Sequence, residues 1–98
     1  MSPEIAARLA ACGIQLAAEA RDYRLFVREN CAAFVYGENV GSSGLMTENG
    51  LAFLVWREGR AFLAAKGSEV EATNEQVEQL RTFSEDLKKG FLAADKRR

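Results

Sequence analysis

A chain of 98 residues, 48% hydrophobic and 28% charged with one Pro and eight Gly, is long enough for a single domain with its own core and has no disordered or fibrous signature. The net charge of −1 hides an asymmetry: residues 88–98 hold Lys88, Lys89, Lys96, Arg97 and Arg98 against Asp95, about +4, which leaves about −5 on the rest. An acidic body repels polyanions and argues against nucleic acid, and the lack of any histidine removes the usual general base, the Ser–His and Cys–His pairs and most zinc or iron sites.

Ser2 suits a helix N-cap, Pro3 the first helical position and Glu4 the positive end of the helix dipole. A short helix is expected there, burying Ile5, Leu9 and Cys12 along a narrow stripe and ending at Gly13. Glu4 and Arg8 interrupt any apolar run, so this segment reads as neither a signal peptide nor an anchor. No stretch reaches the roughly 18 apolar residues of a bilayer span, and a soluble cytoplasmic protein with no membrane partner is the expectation.

From Ile14 the hydrophobic period changes to two. Strands are predicted over Ile14 to Ala18, Tyr23 to Val27 and Cys31 to Tyr36, joined by turns at Arg21-Asp22 and Glu29-Asn30. Gly41-Ser42-Ser43-Gly44 reads as a break, followed by a short strand from Leu45 to Thr47 and a hairpin at Asn49-Gly50 or Glu48 to Gly50. Leu51 to Trp56 is apolar at every position, so a strand there carries hydrophobic side chains on both faces. The next strand, Ala61 to Lys66, follows a reversal at Arg57-Glu58-Gly59.

The length of that reversal sets which side chains share a face. A two-residue loop would place Arg57 opposite Arg60, a like-charge pair, so a three-residue loop pairing Trp56 with Arg60 is expected. It groups Leu51, Phe53, Val55, Ala61, Leu63 and Ala65 as the core face. Ala52, Leu54, Trp56, Arg60, Phe62, Ala64 and Lys66 then form an amphipathic second face.

Thr73 and Gln76 have capping-box spacing, and Val77, Leu80, Phe83, Leu87 and Phe91 fall within an arc of about 120 degrees on the helix that follows. Its end is expected near Gly90. The predicted architecture is α+β: a short N-terminal helix, an antiparallel meander of four to five strands and a longer C-terminal helix packed on the sheet. Residues 1–92 form the expected single domain, and 93–98 a frayed basic C-terminal tail.

No catalytic residue, cofactor or metal is expected. Cys12 and Cys31 belong to no spaced ligand set and read as buried free thiols; Glu69 and Glu71 flank a helix start, and Glu85-Asp86 read as solvated. Two helices at the two ends of an antiparallel meander commonly share one side of the sheet and leave the other side wet. The expected function is therefore a small non-enzymatic interaction module that self-associates, as a homodimer, or takes a protein partner through Leu54, Trp56, Arg60 and Phe62. The alternative is a small-ligand or phosphate-binding domain centred on Gly41, Ser42, Ser43 and Gly44, whose backbone N–H groups and hydroxyls have the composition of an anion-binding loop.

Overall fold

The fold is that of a computed structural model describing residues 2–95. Helix α1 (Pro3–Ala11) leads into strands β1 (Gln15–Glu19), β2 (Arg24–Arg28), β3 (Cys31–Tyr36), β4 (Asn39–Thr47), β5 (Gly50–Arg57), β6 (Arg60–Ala65) and β7 (Ser68–Glu71), and helix α2 (Asn74–Asp95) closes the chain. The seven strands lie in one antiparallel sheet in sequence order, so the α+β meander is as expected but longer by two or three strands. Among the described residues no helix is long and apolar enough to cross a membrane.

Local chemistry fixes both helix starts. The Ser2 hydroxyl accepts the Ile5 amide at 3.1 Å, and Thr73 and Gln76 exchange reciprocal bonds, Gln76 N to Thr73 Oγ1 at 3.1 Å and Thr73 N to Gln76 Oε1 at 2.9 Å. At the other end of α1, Gly13 takes a φ of +78° while its amide bonds Ala10 O and that of Ile14 bonds Leu9 O, a Schellman ending.

Both helices lie on one side of the sheet. Ile5 and Leu9 of α1, Leu80, Phe83, Leu87 and Phe91 of α2, and Phe26, Ala33, Val35, Leu45 and Ala52 beneath them make one buried cluster. Arg28 ties it together: its guanidinium donates to Asp86 at 2.8 Å and to Cys12 O at 3.1 Å, and lies 5.5 Å from the Phe83 ring centroid. Asp86, read from sequence as a solvated charge, is thus an anchor between α2 and β2.

Several boundaries differ from expectation. Helix α2 does not end near Gly90 but continues to Asp95, so part of the expected tail is helical; Lys96, Arg97 and Arg98 lie outside the described residues. Gly90 has a packing reason to be glycine, since a Cβ there would stand 2.4 Å from Leu9 Cδ2 of α1. Cys12 is exposed rather than buried, because it caps α1 beyond the apolar stripe, whereas Cys31 is buried on β3. Burial raises the Cys31 thiol above its usual range, partly opposed by the nearby Arg28 charge.

Candidate interaction surface

Strand register decides what the helix-free face carries. Arg57 stands opposite Arg60 and Trp56 opposite Ala61, which makes Glu58-Gly59 a two-residue loop with positive φ at both positions, 52° and 80°. This overturns the expected three-residue reversal. The like-charge pair that argued against it is neutralised by β7, a strand the sequence reading did not contain. Arg57 grips Glu69 through paired contacts of 2.8 and 2.7 Å, and Arg60 grips Glu71 at 3.1 and 2.7 Å. The Arg57 bonds, more than its charge alone, hold the Glu69 carboxyl below its usual range.

With that register the two faces exchange members. Ala52, Leu54, Trp56, Ala61 and Leu63 lie on the helix side, with Ala52 and Leu63 buried and Leu54 packed on the core. Leu51, Phe53 and Val55, expected to be core, lie instead on the helix-free side with Arg60, Phe62 and Ala64, and Lys66 falls in the turn after β6. The four residues expected to form one interaction face are therefore divided. Leu54 and Trp56 point toward the helix layer and Arg60 and Phe62 away from it, although Trp56, Arg60 and Phe62 all border a hollow of about 560 Å³ at the hairpin tip. Trp56 is 60% exposed because it lies beyond the part of the sheet that α2 covers, which is centred on β3 and β4.

The Asn49-Gly50 signal also resolves differently. Thr47 pairs with Gly50 across a Glu48-Asn49 loop, and the Thr47 hydroxyl accepts the Asn49 amide and donates to Gly50 O. Met46 and Leu51 then face one another on the helix-free side, as do Gly44 and Phe53.

Gly41, Ser42, Ser43 and Gly44 are not a loop. They lie within β4, where the register against β3 shifts between Ala33 and Val35. Their glycines answer to packing: a Cβ on Gly41 would meet the Tyr36 ring at 2.8 Å, and one on Gly44 would meet Ala52 O at 2.2 Å. Strand pairing engages Ser43 and Gly44, while Gly41 and Ser42 fall in the register shift.

On the helix-free side an aromatic series crosses the sheet. Tyr23 contacts Tyr36 and Phe34 edge-on at centroid distances of 6.3 and 5.2 Å, and Phe34 stacks on Phe53 at 6.0 Å and 28°. Phe34 and Phe53 sit on strands either side of β4, where Gly44, opposite Phe53, carries no side chain. Leu25, Val27, Met46, Leu51, Val55 and Phe62 extend the apolar surface, with Tyr36 49% and Met46 56% exposed. No protein-family model matches this chain, nor does any curated protein or solved structure.

The other concavity of note is a groove of about 540 Å³ between the β2–β3 turn and the first turns of α2. Glu29, Glu75 and Glu78 line it against the single cation Arg28, which is already bonded to Asp86. Among the described residues no group of three or more His, Cys, Asp or Glu side chains could hold a metal ion.

The displaced face was legible in one respect. Leu51 to Trp56 announced hydrophobic side chains on both sides of a strand; which set the helices cover depended on a single residue of loop length.

Proposed function

We propose that this protein is a non-enzymatic interaction module that engages a protein surface through the helix-free face of its sheet. The observation that carries the reading is the aromatic series Tyr23, Tyr36, Phe34 and Phe53, which continues into Leu51, Val55 and Phe62 on the side of the sheet away from both helices. One exposed hydrophobic residue is ordinary, whereas a contiguous apolar sheet face is of the size that commonly serves a function on a monomer's surface. Tyrosine and phenylalanine at its centre with arginine at its margin is the composition that interfaces favour.

A photo-crosslinking residue at position 53 tests the reading in cells, with position 81 on the outward side of α2 as the control. Adducts to polypeptide that form from position 53 and not from 81 are expected. Equal adduct patterns from the two positions would remove the basis for an interaction face.

A further inference from the structure

Resting on that reading, we infer that the occupant of the helix-free face is a second copy of this chain, packed sheet to sheet with both helix layers outside. Three observations favour it over a different protein.

The face is large enough. Strands β2 to β7 at a spacing of about 4.8 Å, each giving about five residues, make a patch of about 29 by 17 Å, roughly 500 Å² on each copy and 1,000 Å² on two before side-chain relief is added. That reaches the threshold at which specific interfaces separate from chance contacts. Two twisted antiparallel sheets also have a standard way to meet, nearly aligned, with apolar side chains interdigitating.

The face is compatible with itself in charge. An isologous interface sets a patch against its own copy, so an unbalanced patch repels itself. Here Arg57 and Arg60 are already neutralised by Glu69 and Glu71 of the same chain, and among the described residues of the β5–β7 end this leaves one charge of each sign in the turns, Glu58 and Lys66. Such a face offers a foreign partner little charge to select it, and costs little when placed against itself.

The competing mode of self-association, pairing of the outermost strands, is disfavoured. Edge strand β7 has four residues, all exposed, with Glu69 and Glu71 among them. The opposite edge, β1, is exposed along its whole length and carries a register shift between Leu16 and Ala18 that bends its ladder. Short, charged or bulged edges resist pairing.

Sedimentation velocity from about 1 µM to about 1 mM tests the inference. A monomer–dimer equilibrium is expected for the full chain, with Met46→Glu and Phe53→Glu each weakening it at least about 100-fold, since a two-fold interface receives every substitution twice. Met46 is more than half exposed and outside the buried cluster, so Met46→Glu retains the fold even where Phe53→Glu does not; unchanged circular dichroism and melting behaviour verify this. Trp56→Ala, on the other side of the sheet, is expected to leave dimerisation within about 3-fold. A chain that stays monomeric at 1 mM, or a dimer that Trp56→Ala breaks and Met46→Glu does not, overturns the second-copy assignment. Adducts to a different protein from position 53 in the same chain would then show that the interaction face survives with another occupant, whereas their absence would remove both.

Discussion

Arg57 and Arg60 face each other directly across the β5–β6 hairpin, and each is held by a different carboxylate of β7. Two like charges at a cross-strand site are unfavourable alone; here they act as two hooks that fasten the edge strand. The ion pairs are exposed and screened, so their value lies in fixing β7 more than in global stability.

Replacing Glu69 and Glu71 together with glutamine is expected to lower the melting temperature, more at low salt than at high salt, because the two arginines then repel unopposed. Acid should act in the same direction on the parent chain. The folded Glu69 carboxyl titrates below its ordinary value of 4.5, so its contribution is complete above that pH and is lost as pH falls through the lower folded value. Loss of β7 amide protection in the double variant, with β2 to β4 protection retained, would check the assignment to the edge.

The Leu9–Gly90 contact leaves no room for a side chain on α2. Gly90→Val is expected to destabilise the fold by about 1–3 kcal/mol through overpacking, despite a better helix propensity than glycine. Leu9→Ala should cost about 2–5 kcal/mol as a cavity. Combined, the two changes partly compensate, because the new methyls occupy space that Leu9 vacates, and urea titration of the double variant should fall short of the summed single effects.

Arg28 joins three elements through one guanidinium. Arg28→Ala is expected to cost about 1–3 kcal/mol, because it strands a partly buried Asp86 and uncovers Phe83. Arg24→Ala, which removes the exposed pair with Glu19, should cost clearly less. Chemical denaturation of both variants under one condition measures the difference.

The two thiols should separate by reactivity. Iodoacetamide is expected to label exposed Cys12 in the folded chain and to reach Cys31 only on unfolding, which mass spectrometry of the peptides would resolve. Burial raises the Cys31 pKa, so above the ordinary thiol value of 9.0 the unfolded thiol ionises first. The stability associated with Cys31 is thus fully present below that pH and declines as pH rises through the higher folded value.

The helices and most strands were legible because their signals are local. Ser2, Gly13, Thr73 and Gln76 act within four residues, and the stripe from Leu80 to Phe91 is buried as its period requires. Strand β7 was not legible, since Ser-Glu-Val-Glu offers one hydrophobic residue and its acidic pair resembles the approach to a helix. That one omission propagated. Without the carboxylates of β7, the Arg57–Arg60 pairing appeared unfavourable, the loop gained a residue, and every side chain of β6 changed face relative to β5. The Gly41 to Gly44 segment misled for a different reason, because glycine and serine mark a flexible loop locally while here they admit the Tyr36 ring and the close approach of β5.

Each strand of the sheet bonds only to its neighbours in the chain, while α2 rests on β3 and β4. Rupture can therefore begin at β7 and travel inward one ladder at a time, without first lifting a helix. The molecule has a firm end and a loose end, and the same sequential wiring lets it assemble quickly, since no strand waits for a distant partner.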